Sequence, residues 1–457
     1  MRRAALLAGL ALALLGGDSS SASAAPPGIK HVFIIVLENE NFEASFGPQS
    51  PATYLSQELP AQGAFLPNYY AIGHLSLDNY IAMVSGQAPN VETQSDCQFF
   101  TNFSPGTPTS DGQYVGQGCV YPPGVANIAN QLEGAGLTWK GYMEDMNAPT
   151  GQEQPCRHPA IGAQDNTQTA EPNDMYAARH NPFVYFHSII DFPTCVQNDV
   201  DLSHLAADLQ SESTTPSYSF IVPNLCNDGH DEPCVNGQPG GLAQADGWLR
   251  DHVPQILHSP GYKDHGLLIV TFDEAEAVPG APGGGPDASA CCNEQPGPNT
   301  ANPGGLIQGP GGGKIGTVML SPCIKPGTVD ETPYNHYSML RSIEDLFGLS
   351  HLGYAGQQGL EVFDDDVFTH VPCVAIDLQR KPRKAEVGER TRFRFHVGSD
   401  GADCIRGVEI RFAGKRTFTN EDGNAKIRTT LKAPRRYRVR ATKGGCEPDS
   451  AKVRGKR

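Results

Sequence analysis

The stretch His31–Asn39, HVFIIVLEN, decides the fold. Six apolar residues, Val32 to Leu37, run without a polar break and then stop on a carboxylate and an amide. A run this short and this apolar suits a strand covered on both faces, as in a parallel sheet. Four further runs share the pattern: Leu137–Met143 (LTWKGYM), Tyr218–Pro223 (YSFIVP), Gly266–Phe272 (GLLIVTF) and Gly316–Leu320 (GTVML). Helix-like stretches lie between and after them, at Asn79–Ser85, Val125–Glu133, Gly241–His258 and Tyr337–Phe347. Strands alternating with helices predict an α/β/α sandwich with a mostly parallel central sheet. One segment breaks the alternation. Ala275–Lys314 is rich in Gly and Pro and reads as a long loop, either a rim at a strand end or a surface insertion.

The two ends of the 457-residue chain differ from this middle. Arg2 and Arg3, the apolar run Ala4–Leu15 and the small residues Ala22-Ser23-Ala24 have the order of a secretory signal, assigned to residues 1–25. The run is too short to span a bilayer, so the expectation is an exported, soluble protein. Twelve cysteines suit that compartment. Close spacing suggests Cys97–Cys119, Cys226–Cys234 and Cys404–Cys446 as pairs, with the adjacent Cys291 and Cys292 bonding to different partners.

Charge divides the chain as well. Residues 1–373 carry 11 Lys+Arg against 40 Asp+Glu, and residues 374–457 carry 23 against 10. The expected parts are a catalytic body, 26–373, a linker, 374–384, and a basic β domain, 385–457. Segments such as TRFRFHV, GVEIRFAGK and RYRVRAT alternate with period two, as in a small antiparallel sandwich. The pattern is similar to Ig-like or carboxypeptidase-regulatory-like modules. An acidic body repels nucleic acid. The basic domain offers a weak contact to an anionic surface, such as cell-envelope polymer or lipid headgroups.

Chemistry concentrates at the strand ends. Glu38-Asn39 follows the first run and Asp273-Glu274 follows Gly266–Phe272. Neighbouring strand residues point to opposite faces, so both members of a pair reach one place only where the strand ends. Glu38, Asn39, Asp273 and Glu274 together make an all-oxygen pocket for one hard divalent cation, with Ca, Mg, Mn and Fe all open. Ser76, in GHLSLDNY, stands where a helix begins. Such a Ser reads either as a simple cap or as a hydroxyl aimed at an anion held by the first-turn amides. His230 with Asp231, after the Tyr218–Pro223 run, can protonate a leaving oxygen. His336 precedes a helix for which Asn335 is an equally good cap.

The ordered segments HVFIIVLENENFEASFG, GHLSLDNYIAMVSG, SFIVPNLCNDGHD, LLIVTFDE and YNHYSMLRSIEDLFGLSHLGYA resemble the bacterial phosphoesterase family. That family holds secreted acid phosphatases and non-specific phospholipases C, within the alkaline-phosphatase-like superfamily. The resemblance covers roughly residues 29–357 and looks nearest to mycobacterial acid phosphatases acting on phosphoinositides. It implies a metal held by Glu38, Asn39, Asp273 and Glu274 and a phosphoserine formed on Ser76. It implies His230 and Asp231 beside the phosphate, with His74, Asn79 and His336 as phosphate neighbours. The phospholipase C branch reads ENRSFDHYFG and YDEHGG where this chain reads ENENFEASFG and FDEAEA. That departure favours phosphomonoesters over diesters. A diesterase and a non-catalytic envelope-binding protein are the alternatives. Metal identity, physiological substrate and oligomeric state do not follow from the sequence.

Overall fold

The computed structural model describes residues 28–276, 285–305, 307–369, 374–399, 401 and 404–457. The expected signal segment, 1–25, lies outside them. Among the described residues no helix is long and apolar enough to cross a membrane.

The five apolar runs enter one eight-stranded sheet. Its strands in chain order are β1 (His31–Leu37), β2 (Ala64–Leu66), β3 (Trp139–Met143), β4 (Asp199–Asp201), β5 (Tyr218–Val222), β6 (Gly266–Phe272), β7 (Thr317–Leu320) and β8 (Thr328–Val329). Their spatial order is β8-β2-β7-β6-β1-β5-β3-β4. The strand from the opening stretch is central and parallel to both neighbours, β5 and β6. Every residue of β1, β5 and β6 is buried, which is why these strands read as unbroken apolar runs rather than alternating ones. β7 is the exception to parallel pairing, because it runs antiparallel to both β6 and β2.

Three helices frame the sheet's functional end: α1 (Ser76–Ser85), α2 (Gly241–His258) and α3 (His336–Phe347). α1 packs against α3. α2 belongs to a separate group, held to residues 54–58 by Asp246, whose carboxylate accepts from the Tyr54 and Leu55 amides at 3.2 and 2.9 Å. Two helix groups covering a sheet with no exposed central strand make the α/β/α layering.

A second core stands apart, built from residues between Val374 and Val453. Its three-stranded sheet joins β9 (Asp377–Lys381), β11 (Arg390–Gly398) and β14 (Asn424–Thr430) in the order β9-β11-β14. Its five-stranded sheet holds β10 (Lys384–Glu386), β12 (Glu409–Phe412), β13 (Lys415–Phe418), β15 (Arg436–Lys443) and β16 (Cys446–Lys456), in the order β10-β16-β15-β12-β13. Residues 374–384 are therefore not a free linker. Asp377–Lys381 pairs with β11 and buries Leu378, and Lys384 already pairs with β16. The run of charges there hid a strand whose inward residues are few.

The expected disulfides Cys97–Cys119, Cys226–Cys234 and Cys404–Cys446 are present, with Cys156–Cys195 besides. Cys291 and Cys292 do not pair apart as expected: they bond to each other. The chain turns between them, with Cys292 at a φ of 62°, and that turn lets two adjacent thiols meet.

Candidate active site

β1 and β6 are paired in register from His31–Gly266 to Leu37–Phe272. The next residues, Glu38 and Asp273, therefore emerge at the same height on adjacent strands. The chain leaves extended geometry at once. Asn39 adopts a φ of 50°, a left-handed conformation that Asn tolerates better than most residues. Its amide then donates to Asp273 Oδ1 at 3.0 Å, and the Glu274 amide donates to the same oxygen at 2.7 Å. The two strand ends are thus tied by the carboxylate between them.

Ser76 is delivered to this point by α1. Its Oγ donates to Glu38 Oε2 at 2.8 Å. One turn further along the same face, Tyr80 donates to Glu38 Oε1 at 2.7 Å. Ser76 is the first residue of α1 rather than its cap, and the Leu77 amide is already taken by Asp96 Oδ1 at 3.0 Å. The expected cradle of free first-turn amides is reduced accordingly.

Burial dominates the electrostatics. Glu38 is pushed well above the ordinary carboxylate range by burial, then by the Asp273 and Asp228 carboxylates. Glu274 is raised by burial, then by Asp273. Asp273 and Asp228 are raised by burial as well. Asp273 Oδ2 and Asp228 Oδ2 are buried without a hydrogen-bond partner. Crowded acids with orphaned oxygens are costly unless a positive charge meets them. The chemistry of the donor set suits a hard divalent cation, since Glu38, Asn39, Asp273 and Glu274 all offer oxygen. Among the described residues, however, Glu38, Asp273 and Glu274 are not gathered within reach of one ion; the one such set is Cys156, Cys195 and Asp199. Glu274 spends Oε2 on His74 Nδ1.

Three expected phosphate neighbours have other work. His74 is fully buried, with Nδ1 on Glu274 and Nε2 2.9 Å from the Asp287 carbonyl, so both ring nitrogens are used. His336 is also buried, with Nε2 2.6 Å from the Asp273 carbonyl and Nδ1 3.3 Å from the Tyr69 hydroxyl. Burial pushes its pKa down to about 4. Asn79 accepts from the Ile72 and Gly73 amides at 2.9 and 3.0 Å and donates to the Gly73 carbonyl at 2.9 Å. These three side chains hold the strand end and the approach to α1, and have no polar atom left for phosphate. Gly73 must be glycine there, because a Cβ would lie 2.6 Å from the Asp78 carboxylate.

His230 and Asp231 line an open cavity of about 470 Å³ together with Arg179, a cavity whose lining does not include Ser76, Glu38 or Asp273. His230 Nδ1 is 2.9 Å from Asp231 Oδ1, and this bond raises the imidazole's pKa. Nε2 is left to face the cavity. The loop is joined to the strand end through Asp228. Its carbonyl accepts from the Glu38 amide at 2.9 Å, and its Oδ1 accepts from the His230 amide at 3.0 Å.

Four residues of this centre escaped the sequence reading: Tyr80, Arg179, His180 and Asp228. His180 lies between Glu38 and Asp228, 3.4 Å from Glu38 Oε1 and 3.7 Å from Asp228 Oδ2, and stacks on Tyr80 at 5.3 Å. Burial, then Arg179, lowers its pKa well below the usual value, so it stands neutral. Arg179 sits 3.7 Å from Asp96 and donates to the Gln168 carbonyl at 3.0 Å. The pair Arg179-His180 inside the apolar segment MYAARHNPFVYF was the available signal. The long loop also touches the centre. Gly285 accepts from Asn41 at 3.3 Å, and Asp287 from His74.

A profile described as the phosphoesterase family matches residues 49–350. The chain belongs to the phosphoesterase family. A probable acid phosphatase of Kluyveromyces lactis is 27% identical over 86% of this chain and 76% of its own length. A phosphatidylinositol-3-phosphatase of Mycobacterium tuberculosis is 28% identical over 73% of this chain and 82% of its own. A Vibrio parahaemolyticus protein of the alkaline phosphatase superfamily superposes at a TM-score of 0.42, with 14% identity over 90% of this chain and 84% of that one. This phosphoesterase is a hydrolase of phosphoric ester bonds.

Proposed function

We propose that the chain is an exported, metal-dependent phosphomonoesterase that works through a phosphoserine on Ser76. The observation that carries this reading is the 2.8 Å bond from Ser76 Oγ to Glu38 Oε2, at the height where β6 presents Asp273. Glu38, Asn39, Asp273 and Glu274 would hold a divalent cation, which would supply Lewis-acid polarisation of the phosphoryl oxygens and offset the acidic pocket.

The chain's own residues do the rest. Ser76 passes its hydroxyl proton to the Glu38 carboxylate, its hydrogen-bond partner, as Oγ attacks phosphorus in line with the ester oxygen. The Oγ–P bond forms as the P–O ester bond breaks. His230, held protonated by Asp231, gives its Nε2 proton to the departing alkoxide. The neutral imidazole then takes a proton from water as the water oxygen attacks the phosphoserine; the P–Oγ bond breaks, Glu38 returns the proton to Oγ, and phosphate leaves. Tyr80 and neutral His180 fix Glu38 from behind. Arg179 brings fixed positive charge to the cavity wall, where a phosphoryl transition state gains from it.

Phosphomonoesters, including monophosphorylated inositol headgroups, are the substrate class this reading takes. That choice leans on the family relatives and on the FDEAEA segment, which lacks the diesterase branch's histidine. Paired assays with mono- and diester chromogenic substrates, run with added divalent cations, test it. Faster monoester turnover that a chelator abolishes is expected. Diester preference, or full activity after metal stripping, would overturn it.

A further inference from the structure

The outer faces of the C-terminal sandwich set cations directly against one another. On the five-stranded sheet Arg411 lies opposite Arg416 on one side and Arg440 on the other, and Arg438 lies opposite Lys452. On the three-stranded sheet Arg394 stands between Lys381 and Lys426, and Arg392 faces Arg428. All of these side chains are exposed. Like charges directly opposite each other on a sheet oppose folding. Their presence in rows on both sheets is unfavourable for the free domain and favourable only when anions lie between them.

One place is shaped for an occupant. Arg411, Lys415, Arg416, Arg438 and Arg440 line a groove of about 590 Å³ with Phe412, Ala413 and Gly414. Glu409 is 2.7 Å from Arg411 and 3.7 Å from Arg416 at its edge, far short of neutralising five cations. The ion pairs described within the sandwich, Arg406–Glu421 and Lys456–Glu386 among them, are internal to it and leave the groove positive.

We propose that the C-terminal sandwich docks a linear phosphate polymer, seated first in this groove. Guanidinium forks suit phosphate oxygens, and arginine outnumbers lysine in the groove four to one. Cations on both outer faces suit a chain that wraps, whereas a bilayer plane meets one face only. A base-bearing polymer would call for aromatic stacking platforms. Among the described residues of the sandwich, Phe418 is the sole strongly exposed large apolar side chain. The acidic body repels such a polymer, so attachment falls to this domain and does not depend on the chemistry at Ser76.

The test uses the full chain and long-chain inorganic polyphosphate across a salt series. Affinity is expected to fall linearly with salt on logarithmic axes, as counterion release requires. Replacing Arg411, Arg416, Arg438 and Arg440 together by Gln is expected to weaken binding at least about ten-fold and to flatten the salt slope by roughly three. The same four changed to Lys bind more tightly than the Gln variant and more weakly than the native chain, because the charge is kept and the planar forks are lost. Hydrolysis of a small chromogenic monoester stays unchanged, and the melting temperature of the Gln variant is equal or higher, which reports folding. Undiminished binding by the folded Gln variant overturns the proposal. So does tight binding to phosphatidylserine vesicles with none to polyphosphate, or tighter binding to single-stranded DNA than to polyphosphate of equal charge.

Discussion

Ser76 and Glu38 share one hydrogen bond, and the rest of the centre serves that contact. Replacing Ser76 by Ala removes the proposed attacking oxygen and little packing, since every other residue of α1 is buried as well. Turnover of a phosphomonoester is expected to drop by a factor on the order of 10³ or more with an unchanged melting temperature. Arg179 acts by charge and shape together. Arg179→Lys keeps the charge but loses the planar fork, and we expect kcat/KM to fall roughly 10–100-fold with weaker inhibition by inorganic phosphate. Steady-state kinetics with phosphate as inhibitor checks both effects. Tyr80 was legible in principle, because it lies one turn from Ser76 on the same helix face. His180 and Arg179 were not. They arrive on a short turn, Ala178–His180, after the irregular stretch 144–177, and no local pattern says which face they meet.

Elements convert sequence spacing into position. β1 and β6 are long, apolar and bounded by turn signals, so their ends could be read, and the parallel register then sets Glu38 beside Asp273. The helices α2 and α3 were equally plain, through apolar periodicity and, for α3, the αL Gly348 that ends it. Short strands such as Ala64–Leu66, second from one edge, and Asp199–Asp201, at the other edge, carry no legible period in three residues. Histidines proved the least legible. His74 and His336 stand near the expected phosphate in sequence logic, but burial spends both nitrogens on supporting the strand end. Asn79 shows the same economy. Asn79→Ala would leave the Ile72 and Gly73 amides unpaired in the interior, at a cost of roughly 2–4 kcal/mol. Denaturant unfolding is expected to show that loss, with activity reduced because Ser76 is no longer held in register with Glu38.

The whole molecule is an acidic catalytic body joined to a basic sandwich, and buried acids govern its response to pH. Asp199 is fully buried, accepts one bond from Asn181 at 2.8 Å, and leaves Oδ1 unpaired. Burial raises its pKa to about 7, partly offset by Asn181. A carboxyl whose folded pKa exceeds its unfolded value of about 3.9 carries no penalty while protonated in both states. The penalty grows as pH rises between those two values and is complete above about 7, reaching up to roughly 4 kcal/mol for a shift of this size. The native protein is therefore expected to lose stability from pH 5 to pH 8, and Asp199→Asn to lose less. Melting curves of both at the two pH values decide it. Metal binding should act on the same scale. Stripping divalent cations is expected to lower the melting temperature as well as activity, because an ion held as proposed would bind only the folded pocket.

The most direct test is a rapid acid quench of the metal-loaded enzyme during turnover of a phosphomonoester, followed by peptide mapping. The account predicts phosphate on Ser76, absent in Ser76→Ala. A phosphorylated residue elsewhere, or turnover at native speed in Ser76→Ala, would contradict it.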